Sequence, residues 1–241
     1  MRHKNIPLRE RIIFALDVSS PDKAKELVQR LESHTGFFKV GLQLFLAGGF
    51  PIVDWIIERG HKVMMDLKFF DVPETVKLAV GQLTDRKITC ATVHGNGSIL
   101  EAATAAKKDV KILAVTVLTS FGEEDLKEMT GTTGKVEDLV LSRARRAVEL
   151  GIDGVVASGL EAAMLRRELG DDFLVVTPGI RPGTNTEGQR DDQKRIITAG
   201  KAISSGADHI VVGRPIRDAA DPVSVIEAMQ KEIEQALSGS L

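Results

Sequence analysis

Ile12-Ile13-Phe14-Ala15-Leu16-Asp17-Val18-Ser19-Ser20-Pro21 is the stretch on which the fold turns. Five consecutive apolar residues read as a strand covered on both faces, the habit of parallel sheets flanked by helices. Ser20 then offers an N-cap, and Pro21 suits the first position of a helix. A doubly wound nucleotide-binding sheet would carry a glycine-rich fingerprint directly after this first strand. Val18-Ser19-Ser20-Pro21 contains no glycine at all, which turns the reading toward a closed barrel.

The rest of the chain repeats the pattern. Apolar runs follow at Phe37–Val40, Lys62–Met65, Ile88–Val93, Val110–Leu118, Gly154–Ala157, Phe173–Thr177 and His209–Gly213, which with Ile12–Leu16 makes eight candidate strands. They recur every ~30 residues with amphipathic helical spacing between them. Pro73-Glu74-Thr75-Val76 opens one further helix and Asp221-Pro222 the last, while Gly36, Gly60 and Gly151 stand where left-handed C-caps would end a helix before the next strand. Eight alternations of strand and helix predict a (β/α)₈ TIM barrel, an α/β fold, with residues 1–241 forming a single domain. Barrels of this kind commonly run to about 250 residues. No linker, low-complexity tract or shift in composition interrupts the chain.

Bulk properties narrow the function. The chain has 241 residues, of which 43% are hydrophobic, so a sizeable core can form. Its 32 basic and 34 acidic residues give a formal charge of −2, which points to neither nucleic acid nor an anionic membrane as partner. Affinity for an anion must therefore come from a local site. The lone Cys90 cannot form an internal disulfide, which fits a reducing cytoplasm; its apolar surroundings mark it as a small buried hydrophobe. The first residues are basic but lead into no apolar signal segment, and no apolar stretch approaches the ~20 residues that span a bilayer. A cytoplasmic location is expected.

In such barrels the active site lies at the C-terminal ends of the strands. Read in order, those ends carry Asp17, Lys39, Asp66 with Lys68, His94, Thr119 with Ser120, Ser158, Arg181, and Gly213-Arg214. Asp66 and Lys68 are two apart, so an ideal strand would aim both into the lumen or its rim. Asp71 follows in the loop before the helix opened by Pro73. Inward charges at a barrel mouth are costly to desolvate unless paired and used, so Asp66-Leu67-Lys68-Phe69-Phe70-Asp71 reads as functional rather than as a surface salt bridge. Arg181 and Arg214 are flanked by glycines in the loops after strands 7 and 8, the recurrent phosphate site of these barrels. Arginine adds bidentate, charge-assisted hydrogen bonds there. The polar stretch 183–192 between them reads as a mobile loop able to close over a ligand.

Asp66-Leu67-Lys68-Phe69-Phe70-Asp71-Val72-Pro73-Glu74-Thr75 resembles the signature of orotidine 5′-phosphate decarboxylases. Ala15-Leu16-Asp17-Val18, Lys39-Val40-Gly41, Val117-Leu118-Thr119-Ser120, Thr177-Pro178-Gly179-Ile180-Arg181-Pro182 and Val212-Gly213-Arg214-Pro215 resemble further blocks of that family, in the same order along nearly the whole chain. The resemblance implies conversion of orotidine 5′-monophosphate to UMP and CO₂, the last step of de novo pyrimidine synthesis, with no metal and no organic cofactor. It makes Lys68 the general acid that protonates C6, within an alternating array formed with Asp66, Asp71 and Lys39. It assigns Asp17 and Lys39 to the ribose hydroxyls, Thr119 to the pyrimidine, and Arg181, Gly213 and Arg214 to the phosphate. Asp71 and Thr75 would reach into the partner's site across a homodimer interface. A further phosphate ligand is Gln193, preferred for its flanking residues, with Gln189 as the competing position.

Decarboxylation at C6 leaves a carbanion with no adjacent carbonyl to delocalise it, and electron sinks such as a Schiff base or a metal are the usual remedy. The five histidines show no ligand spacing, and His94 is read as a packing or supporting residue. The remaining device is preorganised electrostatics around Lys68. The nearest rivals are phosphosugar enzymes on the same barrel, 3-keto-gulonate-6-phosphate decarboxylase and hexulose-phosphate synthase, which resemble this chain in D-x-K-x-x-D but add Mg²⁺ and an extra acidic ligand. Lys39 stands at the end of strand 2 instead of an acid, which argues against the metal. A non-catalytic phosphate-binding protein on a decayed barrel is the rival from another class, and it is disfavoured because every expected charged position is filled.

Overall fold

The computed structural model describes residues 3–131, 133–183 and 196–239. Among them, strands β1 (Ile12–Ala15), β2 (Phe37–Gly41), β3 (Lys62–Phe69), β4 (Cys90–His94), β5 (Lys111–Val115), β6 (Gly154–Val156), β7 (Leu174–Thr177) and β8 (His209–Val212) pair in parallel and in chain order. Pairing of Ile12–Phe14 with Ile210–Val212 closes the barrel between β1 and β8. Each of the eight expected runs overlaps one strand. The largest difference is β3, which passes through the charged segment to Phe69 rather than stopping at Met65.

Period-2 alternation divides every strand between two apolar layers. Ile12, Phe14, Phe38, Val40, Val63 and Met65 face outward into the layer shared with the helices. Ile13, Ala15, Phe37, Met64, Cys90, Leu113, Val115, Val156, Val176 and Val211 fill the lumen. The lumen is therefore a packed floor, not a pore, and the next inward position along each of the first strands lies above it. Close packing also explains Gly154, where an added Cβ would stand 2.6 Å from the Leu174 carbonyl oxygen on the neighbouring strand.

Local signals start the helices as expected. Ser20 Oγ accepts from the Lys23 N–H at 3.4 Å ahead of helix Pro21–Leu31. Asp221 Oδ1 accepts from Val223 and Ser224 at 3.2 and 3.4 Å ahead of helix Pro222–Leu237. Gly60 and Gly151 adopt φ of +84° and +73°, the left-handed caps anticipated for them. Gly36 does not: its φ is not positive. An added Cβ there would lie 2.9 Å from Arg9 Nε, a contact that a shift of that flexible side chain would relieve. No helix among the described residues is long and apolar enough to cross a membrane.

His209 begins β8 at the end of the barrel opposite the strand C-termini. Its Nδ1–H donates to the Glu10 carbonyl oxygen at 2.8 Å, and its ring meets Phe37 edge-on at 5.5 Å. Burial is the largest cause that lowers its pKa, to about 4. The unfolded chain, with an ordinary histidine near 6.5, thus binds the proton more readily than the folded one, and stability falls as pH drops from about 6.5 to about 4. The full loss is on the order of 3 kcal/mol. Urea denaturation at pH 7 and pH 4.5 should show this loss in the wild type and a smaller one in His209→Gln; equal losses would remove His209 as its source.

Candidate active site

The cavity at the C-terminal ends of the strands has a volume of about 350 Å³, within the ~300–1,000 Å³ usual for ligand sites. Asp17, Lys39, Asp66, Lys68, Thr119, Arg181, Gly213 and Arg214 all line it. Strand periodicity places the first three. Ala15, Phe37 and Met64 point into the lumen, so Asp17, Lys39 and Asp66, two residues further on, stand directly above that apolar floor.

Lys39 Nζ lies 2.9 Å from Asp17 Oδ1 and 3.3 Å from Asp66 Oδ2. Lys68 Nζ donates to the same Asp66 Oδ2 at 2.9 Å. The result is a continuous chain of alternating charge, Asp17–Lys39–Asp66–Lys68, drawn from three adjacent strands. Burial opposes the charged form of Lys39, but the neighbouring carboxylates Asp66 and Asp17 outweigh it and raise its pKa. Burial likewise opposes the Asp66 carboxylate, and Lys39 and Lys68 outweigh it and lower its pKa. Both groups are thereby held ionised. Their side chains are 10% and 11% exposed, against 36% for Lys68, which makes Lys68 the ammonium of the array available to a ligand.

Lys68 does not reach this place by simple alternation. The register between β3 and β4 shifts between Met65 and Phe69, and Lys68 adopts a φ of +48°. A left-handed lysine costs about 1–2 kcal/mol. Its N–H is satisfied by Thr92 Oγ1 at 2.9 Å, and the same hydroxyl donates to Asp66 Oδ1 at 3.0 Å. Thr92 is fully buried on β4, and the reading of the sequence did not single it out. In Ile-Thr-Cys-Ala-Thr-Val it looks like one more β-branched strand residue. The available signal was its parity with the inward Cys90.

The cationic side of the cavity is built from the last two loops. Arg181 N–H donates to the Ile197 carbonyl at 3.0 Å and Ile197 N–H to the Gly179 carbonyl at 3.1 Å, pinning both ends of the intervening loop together. Gly213 follows β8 and Arg214 opens the short helix Arg214–Arg217. An added Cβ at Gly213 would lie 3.6 Å from Asp17 Oδ2, which shows how closely the last strand end approaches the first. In all, Lys39, Lys68, Arg181 and Arg214 face two carboxylates, Asp17 and Asp66, across the lining. That surplus of positive charge suits an anionic ligand.

Not every expected residue joins this cavity. Asp71 and Thr75 are exposed outside the lining, and Asp71 Oδ1 accepts from the Val72 N–H at 2.6 Å. Gln189 and Gln193, and most of the 183–192 loop, lie outside the described residues. His94 packs on Phe70 with ring centroids 4.5 Å apart, away from the cavity. Burial first, then the cations Arg143 and Lys68, lower its pKa. Among the described residues, no group of three or more His, Cys, Asp or Glu side chains is placed to hold a metal ion.

Known proteins resemble this chain in sequence and in fold. The sequence profile described as "Orotidine 5'-phosphate decarboxylase / HUMPS family" matches residues 10–229. A protein of Methylococcus capsulatus named orotidine 5′-phosphate decarboxylase is 51% identical over 99% of this chain and 98% of its own. One of the same name from Nitrobacter winogradskyi is 47% identical over 98% of this chain and 97% of its own. The crystal structure of orotidine 5′-phosphate decarboxylase from Lactobacillus acidophilus superposes with a TM-score of 0.80 at 35% identity, covering 92% of this chain and 98% of that one.

Proposed function

Because the chain belongs to the orotidine 5′-phosphate decarboxylase / HUMPS family, we propose that it converts orotidine 5′-monophosphate to UMP and CO₂. This is the last step of de novo pyrimidine synthesis. The whole chain works in the cytoplasm as one barrel domain. The observation that carries the reading is the half-open Lys68 ammonium, 2.9 Å from the buried Asp66 carboxylate and sharing a cavity with Arg181 and Arg214.

Arg181, Gly213 and Arg214 hold the phosphate, joined by Gln193 or, at the competing position, Gln189. Asp17 and Lys39 bind the ribose hydroxyls, and Thr119 binds the pyrimidine. The substrate carboxylate then lies beside Asp66 and Lys68. As the bond from C6 to the carboxyl carbon breaks, its electron pair stays on C6 and CO₂ departs. The Lys68 ammonium stabilises that charge without reorganising and transfers its proton to C6. Phosphate contacts remote from C6 contribute binding energy to loop closure and so to the barrier reduction. Solvent reprotonates Lys68 after release.

Asp71 and Thr75 complete the neighbouring subunit's site in a homodimer. Their position outside this chain's own cavity supports that role, as do the exposed apolar side chains of Phe70 and Val72 beside Asp71. The Mg²⁺-dependent phosphosugar reading fits less well. Lys39 Nζ sits between the Asp17 and Asp66 carboxylates, 2.9 and 3.3 Å away, in the place a divalent cation would otherwise take. Purified protein should consume orotidine 5′-monophosphate, followed by the loss of its ultraviolet absorbance, at the same rate with and without EDTA. Turnover of a phosphosugar instead, abolished by EDTA, would favour the metal-dependent rival, and turnover of neither substrate by folded protein would favour a phosphate-binding role.

A further inference from the structure

We infer that Thr92 is a positioning residue for the proton donor, fixing Lys68 and Asp66 relative to each other through one hydroxyl. The inference rests on the decarboxylase reading for its kinetic consequence, but its basis is geometric. At the register shift after Met65 the backbone of β3 leaves the regular ladder, and the Lys68 N–H turns to Thr92 Oγ1 at 2.9 Å. The hydroxyl oxygen accepts that bond while its own proton goes to Asp66 Oδ1 at 3.0 Å. Asp66 Oδ2 is left for the Lys68 and Lys39 ammonium groups. A single buried atom therefore sets the backbone from which the donor projects and the orientation of the carboxylate that aims it.

No other side chain among the described residues bonds the Lys68 N–H, and the left-handed φ of +48° persists only while its surroundings hold it. Without the hydroxyl, the part-buried N–H loses its side-chain partner, and Asp66 keeps its ammonium partners but can rotate about them. Misplacement of a reacting group by about 1 Å can cost about 100-fold in rate. Phosphate contacts, made from the last two strands, would be unaffected. The signature is a loss in kcat with little change in KM.

The test compares Thr92→Val, which keeps the shape and removes the hydroxyl, with Thr92→Ser, which restores it. Valine is expected to lower kcat for orotidine 5′-monophosphate by about 10- to 100-fold with KM within about threefold, and serine to recover to within about threefold of wild type. Should the valine variant not fold, Thr92→Ala removes the same hydroxyl without adding a contact and is held to the same expectation. A hydroxyl-less variant that keeps wild-type kcat overturns the inference while leaving the decarboxylase reading intact. If the wild type itself does not turn over this substrate, that reading falls. The positioning role is then read from a crystal structure of the variant, where an unchanged Lys68 φ and Lys68–Asp66 distance would overturn it.

Discussion

Lys68→Ala is expected to lower kcat for orotidine 5′-monophosphate by at least about 10⁴-fold, raising the barrier by ~5 kcal/mol. On the proposed mechanism two contributions vanish together: proton delivery, which is typically worth about 10²–10⁴-fold, and a preorganised charge at the reacting carbon, worth about 10²–10³-fold. Asp66 does not become an orphan in this variant, because Lys39 Nζ at 3.3 Å and the Thr92 hydroxyl at 3.0 Å remain. Folding and phosphate binding should therefore persist, and equilibrium binding of UMP is the control. Lys68→Arg separates the two contributions. It restores a positive charge that does not release its proton near neutral pH, so kcat should stay within about tenfold of the alanine variant if proton delivery dominates. Turnover of Lys68→Ala within about tenfold of wild type would end the proton-donor role.

The second large effect concerns stability and lies at the other end of the barrel. Asp208 and Arg166 have side chains only 4% and 5% exposed and meet at 2.6 Å. Asp208 Oδ2 also accepts from the Val175 N–H at 2.9 Å and from Lys4 Nζ at 3.1 Å. Arg166 spends its remaining donors on the Gly206 and Phe173 carbonyls, at 3.0 and 2.8 Å, and its guanidinium lies 4.9 Å from the centre of the Phe173 ring. Asp208→Ala leaves the buried guanidinium only the partly exposed Asp171, 3.9 Å from its Nε, as counter-ion, and removing one partner of such a pair typically costs about 3–5 kcal/mol. Chemical denaturation should show a loss of that size. The double variant Asp208→Ala, Arg166→Met should recover part of it, because the buried guanidinium is removed together with its partner and only the part-exposed Lys4 is left unpaired. A loss below about 1 kcal/mol in the single variant would mean that water reaches Arg166.

Much of this arrangement was legible before any coordinates. The eight strands follow from runs such as Ile12–Leu16 because parallel strands buried on both faces leave a nearly continuous apolar trace. The charges at their ends stand out against that trace, and this is why Asp17, Lys39, Asp66 and Lys68 could be gathered from three separate places in the chain. Thr92 could not, since a threonine in a β-rich run has the same appearance whether its hydroxyl is idle or holds a carboxylate. The bulge at Lys68 was hidden for a related reason: it depends on the register with β4, a relation between strands that no local pattern encodes. Gly36 differs from Gly60 and Gly151 because a glycine before a strand need not use its freedom to adopt a positive φ, and only the backbone shows whether it does.

The pairing of β1 with β8 joins Ile12 to Ile210, and this sets an order of events during synthesis. A growing chain carries Asp17, Lys39, Asp66 and Lys68 long before Arg181 and Arg214 have emerged, and the strand that closes the sheet comes last. Until then the edges of β1 and of the most recent strand stay unpaired, the exposed state in which long-range parallel sheets are most prone to associate wrongly. The side of the cavity that carries Arg181 and Arg214 is thus also among the last parts of the barrel to be made. An anion captured by these two arginines would act as a latch on the finished ring.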